Sequence, residues 1–276
     1  MPKGTLYIVS TPIGNLEDIT FRAIRILKEA DVIAAEDTRH TLKLLNYYGI
    51  AKPMISYWGE RERARAEEVI ERLSTGHSVA LVSDAGTPGI SDPGGVLIKR
   101  ALEEGFDVVP VPGPVALIAA LTISGFPTEE FVFCGFLPAK QSQRRKFLDE
   151  LSLEKRTVVV YESPHRIVES MAEMSEIFGQ RRMVLAREIT KLHEEVMRGT
   201  VSEVFEVLID SKIAGEYVLV VEGRPEAEDV HREEDAVREI RSLMRKGMGR
   251  KEAVKRVAEQ YGLSRKELYD RSLEGE

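Results

Sequence analysis

Three short segments of the chain carry ionisable side chains of the kinds that catalyse proton transfer. Residues 36–40 read Glu-Asp-Thr-Arg-His, residues 161–166 read Tyr-Glu-Ser-Pro-His-Arg, and residues 187–191 read Arg-Glu-Ile-Thr-Lys. Carboxylates can accept a proton, and guanidinium and ammonium groups can stabilise developing negative charge. Each segment follows an apolar run typical of a buried strand. One such segment could be a solvated turn, whereas three at strand ends favour a shared cleft.

A fourth segment, residues 84–95, is rich in glycine and proline. It reads Asp-Ala-Gly-Thr-Pro-Gly-Ile-Ser-Asp-Pro-Gly-Gly and follows the apolar run at residues 79–83. Glycines in a loop at the end of a buried strand let the main chain approach a ligand where a Cβ atom would block it. This loop is therefore predicted to form a small-molecule site.

Several common sites are disfavoured by their missing motifs. Residues 11–15 read Thr-Pro-Ile-Gly-Asn after the first strand, where a dinucleotide-binding protein would carry Gly-x-Gly-x-x-Gly. The chain also lacks a Gly-Lys-Ser/Thr phosphate loop and a Gly-x-Ser-x-Gly elbow. Its five histidines have no metal-ligand spacing. We expect no metal, no nicotinamide cofactor and no serine hydrolase, although residues 11–15 alone would also fit an ordinary turn.

The first part of the chain predicts an α/β domain. Its strand patterns are apolar on both faces, which indicates a mostly parallel sheet covered by helices. The predicted strands are 5–10, 32–35, 79–83 and 108–111, and the predicted helices are 19–30, 38–48, 61–74 and 95–104.

A Pro-Val-Pro-Gly-Pro segment at residues 110–114 predicts a domain junction, followed by an apolar helix at 115–123. Beyond it the closer strand spacing indicates a second α/β domain with a mixed sheet. We predict domains at 1–112 and 113–226. The predicted strands are 131–136, 157–161, 183–187, 196–198 and 217–222, and the predicted helices are 166–178 and 201–209.

An acidic link leads into a helical appendix, residues 232–276, with predicted helices at 234–246, 251–261 and 265–272. Ala258 and Gly262 are spaced as in a helix-turn-helix, and Ser264 is a predicted N-cap. Residues 236–271 hold 11 Lys and Arg against 5 Asp and Glu, a local charge of +6. The appendix is predicted either to bind nucleic acid or to cap the fold.

The net charge of −7 argues against a nucleic-acid partner, but the basic appendix weakens this argument, because the remaining chain must then carry −13. The single cysteine, Cys134, excludes an internal disulfide and favours a reducing compartment. We expect no signal peptide and no membrane span, and hence a cytoplasmic protein.

Six motifs together resemble the ribosomal RNA small subunit methyltransferase I family, a branch of the tetrapyrrole-methylase-like class III S-adenosylmethionine methyltransferases. They lie at residues 10–16, 35–39, 83–94, 111–114, 161–166 and 186–191. The first motif departs from the Gly-x-Gly-Pro-Gly-Asp pattern of the tetrapyrrole enzymes, which favours the RNA branch.

The resemblance implies 2′-O-methylation of a cytidine ribose in the decoding region of 16S rRNA, with S-adenosylmethionine as donor. It implies two α/β domains with the cofactor in the cleft between them, a homodimer, and the small ribosomal subunit as partner. By analogy with the superfamily, the implied cofactor contacts are Pro12, Asp84, Gly86, Thr87, Ile90, Val115, Ala116, Tyr161 and Arg187.

Within this reaction the charged residues have distinct candidate roles. Glu36, Asp37 and Glu188 are candidate bases for the ribose hydroxyl, and Arg39 and Lys191 are candidate stabilisers of the alkoxide. Asp84 could instead accept from the ammonium group of the cofactor. Two aromatic residues, Tyr57 and Trp58, lie near arginines 61 and 63 and could stack on a splayed base or pack at the domain edge.

Two alternatives stay open from the sequence. The chain could be a tetrapyrrole methylase that forms C-methyl bonds, or a non-catalytic RNA-binding protein that has kept the cleft.

Overall fold

The computed structural model describes residues 3–59 and 62–273, without the side chains of residues 62, 63 and 226–232. These residues form two compact units, Met1–Ser152 with Arg156–Glu222, and Leu153–Lys155 with Gly223–Glu276. The first unit holds both sheets and the second is the helical appendix.

The first sheet is parallel throughout, as predicted. Its strand order is β3-β2-β4-β1-β5, and β2 and β4 are buried along their whole length, which explains their apolar sequences. The strands are β1 (Thr5–Val9), β2 (Val32–Ala35), β3 (Met54–Ser56), β4 (Val79–Val82) and β5 (Asp107–Val111). The helices are α1 (Phe21–Glu29), α2 (Thr38–Tyr47), α3 (Glu62–Ser74) and α4 (Gly95–Glu103).

The second sheet is mixed, also as predicted. Its order is β6-β7-β10-β8-β9, with β6 and β7 parallel and the other pairs antiparallel. The strands are β6 (Phe131–Phe136), β7 (Thr157–Glu162), β8 (Arg182–Arg187), β9 (Glu195–Thr200) and β10 (Tyr217–Val221). The helices are α5 (Ala116–Thr122), α6 (Gln141–Leu151), α7 (Ile167–Phe178) and α8 (Val201–Ile209).

One core cluster joins the loop after β1 to the second sheet. Ile13 packs in the same buried cluster as Leu117 of α5 and Val159, Val184 and Val218 of the sheet. The other face of that sheet packs against α6, α7 and α8 through a separate cluster. The loop after β1 is therefore anchored in the second domain.

The appendix has a core of its own. Ala236 and Ile240 of α9 (Glu226–Arg245) pack with residues of α10 (Arg250–Tyr261) and α11 (Arg265–Leu273). Gly262, with a φ of 62°, ends α10, and the Ser264 hydroxyl accepts from the Glu267 N–H at 3.4 Å. The predicted turn between these helices is confirmed.

One prediction of secondary structure was wrong. The acidic link does not extend past Pro225, because α9 begins at Glu226. Three elements were missed: a 3-10 helix at Leu16–Asp18, β3, which is only 3 residues long, and α6, whose sequence is mostly polar. The two α/β domains are present, while the boundary at residue 112 stays a prediction.

A buried ion pair explains how the polar helix α6 is held. The Arg144 guanidinium donates two hydrogen bonds of 2.9 Å to the Glu173 carboxylate on α7. The two residues are only 1% and 6% exposed. Such a pair is strongly destabilising when one partner is lost, because a buried charge remains uncompensated.

We therefore expect Arg144→Met to lower the free energy of unfolding by about 3–5 kcal/mol. Adding Glu173→Leu should restore most of this stability, because no buried charge is then left. The control is Arg145→Met, whose loss of stability should be much smaller, because its pair with Glu176 is exposed to solvent. Urea unfolding measures all three, and equal losses for Arg144→Met and Arg145→Met would contradict the assignment.

Candidate functional site

A cavity of about 290 Å³ lies where the strand-end loops of the two α/β domains meet. Its position agrees with the rule that open α/β sheets bind ligands at the carboxyl ends of their strands. Nine of the residues predicted from the sequence line it: Glu36, Asp84, Gly86, Thr87, Ile90, Val115, Ala116, Tyr161 and Lys191.

The loop after β1 is bound to the loop after β4. Thr11 and Gly86 exchange two backbone hydrogen bonds of 2.8 and 3.0 Å, and the Ser10 and Thr87 hydroxyls are 2.7 Å apart. Gly86 has a φ of +79°, a conformation that favours glycine. The segment at residues 11–15 is therefore a structural support of the 84–95 loop.

Two neighbouring carboxylates form one end of the cavity. The Asp84 N–H donates to Glu36 at 3.2 Å, and the Asp84 carboxylate accepts from the Asp37 N–H at 3.0 Å. Burial raises the pKa of Glu36, and the charges of Asp84 and Asp37 raise it further. Glu36 is thus a better proton acceptor than an ordinary surface carboxylate.

Asp92 also lines the cavity, and the sequence analysis missed it. Burial and the charges of Glu36, Asp84 and Glu216 raise the pKa of Asp92 to about 7, against a hydrogen bond from Ser83 that lowers it. A carboxyl group with a pKa near neutrality suits general base catalysis. Its place in the 84–95 loop was the only signal in the sequence that could have identified it.

The second domain contributes a lysine held by two carboxylates. Lys191 Nζ lies 2.8 Å from Glu188 and 3.2 Å from Glu216. Burial alone would lower the pKa of Lys191, but these carboxylates raise it, so the ammonium stays charged. Burial alone would raise the pKa of Glu188. Hydrogen bonds from Lys191 and from the Glu216 N–H outweigh this effect and lower the pKa below its usual value. Glu188 does not line the cavity, and its geometry is that of a residue that positions Lys191.

Tyr161, which also lines the cavity, is held in place by its neighbours. Its hydroxyl accepts from the Leu117 N–H at 3.1 Å, at the start of α5. Burial raises the pKa of Tyr161 to about 12, so the phenol stays neutral. Phe133 and Phe136 pack edge-on against its ring.

Besides Glu188, four predicted residues do not line this cavity: Arg187, Pro12, Arg39 and Asp37. Arg187 bonds to Glu195 at 2.8 Å and to the Lys212 carbonyl. Pro12 lines an adjoining cavity of about 500 Å³. Arg39 lines a third cavity and pairs with Asp37 at 3.0 Å. Hydrogen bonds from Arg39 lower the pKa of Asp37 to about 2, which makes Asp37 a poor base.

Backbone strain is concentrated at the site. Among the described residues, those other than glycine with positive φ are Ser91, Glu188 and Thr190. Ser91 lines the cavity, and the other two flank Ile189, which also lines it. Strained residues that persist in a fold are typical of functional sites.

Gly14 lets the two domains approach closely. A Cβ atom on Gly14 would lie 2.3 Å from Lys191 Cγ and 3.0 Å from the Thr190 hydroxyl. The glycine of the 11–15 segment is therefore required by the contact between the domains at the edge of the cleft.

The two predicted stacking residues differ. Tyr57 is 1% exposed and packs in the core, so the interpretation of Tyr57 as a stacking platform was wrong. Trp58 is 64% exposed and lines the third cavity with Arg39. Residue 61 and the side chain of residue 63 lie outside the described part of the chain.

Two further searches covered the described residues. They contain no group of three or more His, Cys, Asp and Glu side chains arranged to hold a metal ion. None of their helices is both long and apolar enough to cross a membrane.

The structure is similar to solved methyltransferases. Cobalt precorrin-4 methyltransferase superposes with a TM-score of 0.60 at 20% identity, covering 80% of this chain and 97% of that one. Uroporphyrin-III C-methyl transferase from Thermus thermophilus, complexed with S-adenosylhomocysteine, gives a TM-score of 0.57 at 20% identity over 79% and 97% of the chains. At these identities the likeness shows the fold.

Relatives with higher identity carry one name, Ribosomal RNA small subunit methyltransferase I. The protein of Halalkalibacterium halodurans is 47% identical over 272 residues, 97% of this chain and 94% of that one. The protein of Thermotoga maritima is 48% identical over 221 residues, 80% of this chain and 99% of that one.

Family comparisons agree with these likenesses. Residues 5–204 match the Tetrapyrrole (Corrin/Porphyrin) Methylases, and residues 231–276 match the RsmI C-terminal HTH domain. The helix-turn-helix interpretation of the appendix gains support from the second match. The cofactor expected from the sequence, S-adenosylmethionine, is confirmed with the family. The chain belongs to the ribosomal RNA small subunit methyltransferase I family, within the tetrapyrrole methylases.

Proposed function

We propose that the protein transfers a methyl group from S-adenosylmethionine to the 2′-hydroxyl of a cytidine ribose in the decoding region of 16S rRNA. The observation that carries the proposal is the cavity between the two domains, which is lined by half-buried carboxylates and one lysine. The shared name of the relatives supports ribosomal RNA of the small subunit as the substrate.

The residues of the cavity suit this cofactor. S-adenosylmethionine supplies a methyl group on a positively charged sulfonium. Five acidic residues, Glu36, Asp84, Asp92, Glu162 and Glu216, line the cavity together with the single ammonium of Lys191, and of the five Glu162 is paired with Arg166. This excess of negative charge favours a cationic ligand. Apolar side chains such as Ile13 and Val115 give the remaining wall its hydrophobic character.

Glu36 and Asp92 are the bases that the geometry supports best. Both line the cavity, and burial raises the pKa of both carboxyl groups. Either group can take the proton of the 2′-hydroxyl as its oxygen attacks the methyl carbon. Lys191 is the cation within the cavity and is proposed to stabilise the developing alkoxide. Positioning of the hydroxyl supplies most of the rate.

The remaining assignments follow the same proposal. Asp84, Gly86, Thr87 and Ile90 are proposed as cofactor contacts of the central loop. Pro12 and Arg187, which do not line the cavity, are proposed to support the loops that do. The substrate implies the small ribosomal subunit as partner and the cytoplasm as compartment. The homodimer implied by the resemblance is also proposed, and sedimentation that gave only monomer would contradict it.

The direct test uses small ribosomal subunits from cells that lack the modification, with methyl-labelled S-adenosylmethionine. We expect label on one cytidine ribose of the 16S rRNA, located by reverse-transcription mapping. Absence of transfer to subunits and to naked rRNA would sink the proposal. Binding of a corrinoid, detected by a change in its absorption spectrum, together with its methylation would instead favour the tetrapyrrole methylase alternative. That alternative is worth testing because a cobalt precorrin-4 methyltransferase has a similar fold.

The carboxylates of the cavity predict a dependence of cofactor affinity on pH. Asp92, with its pKa raised to about 7, loses its charge as the pH falls through that value. Affinity for the cationic cofactor should therefore be up to roughly tenfold lower at about pH 6 than at about pH 8. Calorimetry should find this dependence abolished in Asp92→Asn. Asp84→Asn should weaken binding roughly tenfold or more at every pH.

The matched control for both variants is Asp107→Asn, because Asp107 is exposed at the start of β5. Its affinity should follow the native pH profile. If the native affinity for S-adenosylmethionine does not change with pH, the role proposed for Asp92 is contradicted. If Asp84→Asn binds S-adenosylmethionine with native affinity, the role proposed for Asp84 is contradicted.

The appendix is proposed to hold RNA through the exposed basic side chains of α10. Changing Lys251, Lys255 and Arg256 to alanine should weaken binding of 16S rRNA. The slope of log K against the logarithm of the salt concentration should become shallower by roughly one for each lost phosphate contact. Affinity for S-adenosylmethionine should not change. Filter binding measures the RNA affinity, with Glu252→Ala on the same helix as the control. If the triple variant binds 16S rRNA as tightly as the native chain does, the basic side chains of α10 do not bind RNA, and the appendix has only a structural role.

A further inference from the structure

A side pocket of about 490 Å³ opens next to the cofactor cavity. The segment after β2 and the end of β3 form its walls, and Trp58 and Arg39 stand at its rim. Glu36 and Asp84 line both the side pocket and the cofactor cavity. A ligand in the side pocket therefore lies directly beside the reacting centre.

The exposure of Trp58 is imposed by its neighbour. The Tyr57 N–H donates to the Ala35 carbonyl at 2.7 Å, and the Tyr57 side chain is 1% exposed in the core of the first domain. This anchor fixes the backbone just past β3 and leaves the next side chain outside the core. The indole of Trp58 is 64% exposed at the pocket rim. A large aromatic face held in this way is a platform on which a base can stack.

Arg39 is oriented at the same rim. Its side chain is 89% exposed, and it is held by bonds of 3.0 and 3.2 Å to the Asp37 carboxylate. A guanidinium whose plane is fixed can stack on a base or donate to a carbonyl or phosphate oxygen. The indole and the guanidinium thus present the two groups that most often receive an unstacked base.

The pocket is also lined by acidic residues, Glu36, Asp37 and Asp84. Carboxylates accept hydrogen bonds from the exocyclic amino group of cytosine, whereas the corresponding carbonyl of uracil would face them with like partial charge. The pocket therefore favours a base that carries an amino group.

We propose that the side pocket receives the flipped base of the target nucleotide, stacked on Trp58 with its amino edge toward Glu36. Because Glu36 then binds the base, Asp92, which lines the cofactor cavity but not the side pocket, is left to take the proton of the 2′-hydroxyl, and Asp84 is left to contact the cofactor. The ribose of that nucleotide then lies at the edge that the two cavities share, where its 2′-hydroxyl meets the cofactor site. This inference rests on the proposed function and adds the location of the base and the residues that select it.

The test measures methyl transfer to unmodified small subunits by Trp58→Ala, Trp58→Phe and the native chain. Loss of stacking should lower kcat/KM roughly 5- to 150-fold in Trp58→Ala. Trp58→Phe keeps an aromatic face and should recover most of that loss. The matched control is Tyr47→Ala, because Tyr47 is also 64% exposed but lines neither cavity. Calorimetry should give the native affinity for S-adenosylmethionine in all variants.

A second measurement uses the native chain. Because Trp58 is its single tryptophan, intrinsic fluorescence reports on this side chain alone. A short RNA that spans the methylated position should quench it in the presence of S-adenosylhomocysteine.

Unchanged kcat/KM in Trp58→Ala, or equal losses in Trp58→Ala and Trp58→Phe, would overturn the stacking assignment. So would unaltered fluorescence on RNA binding. If the native chain itself transfers no methyl group to subunits or rRNA, the proposed function fails and the base pocket falls with it. Activity of the native chain with no effect at Trp58 removes the pocket alone.

Discussion

Thr11 and Gly86 exchange two backbone hydrogen bonds, and the geometry of the cleft depends on this pairing. It joins the loops that follow β1 and β4, which are adjacent parallel strands. Because the path of the 84–95 loop is fixed at its start, Asp84, Thr87 and Asp92 face one cavity. The loop after β1 is fixed in turn by Ile13, which is buried against the second sheet. One pairing thus links the core of the second domain to the ligand-binding loop of the first.

The electrostatics of the cleft follow from that arrangement. Burial raises the pKa of Glu36 and of Asp92, and the charges of the neighbouring carboxylates raise both further. The proximity of these like charges is unfavourable for the protein alone and becomes favourable when a cation binds. The cleft therefore gives up stability for function, as binding sites commonly do. Lys191 is kept charged in the same surroundings by the two carboxylates that hold it.

Much of the fold was predictable because the strands are apolar on both faces. The exceptions have physical reasons: β3 is too short to show a pattern, and α6 is held by an ion pair that no periodicity reveals. The site was predictable where ligand-binding loops follow parallel strands. Glu216 was missed because it precedes β10, which runs antiparallel to β7 and β8, so its start lies beside their ends. Asp92 was missed because its orientation depends on the path of a folded loop.

The buried pair of Arg144 and Glu173 has a consequence for the working temperature of the protein. The free energy of hydrating a charged group becomes less favourable on heating, so removing these two charges from water is less costly in a hot solution than in a cool one. Attraction between them is retained because both are almost fully enclosed. The contact between α6 and α7 therefore strengthens, relative to the apolar packing around it, as the temperature rises.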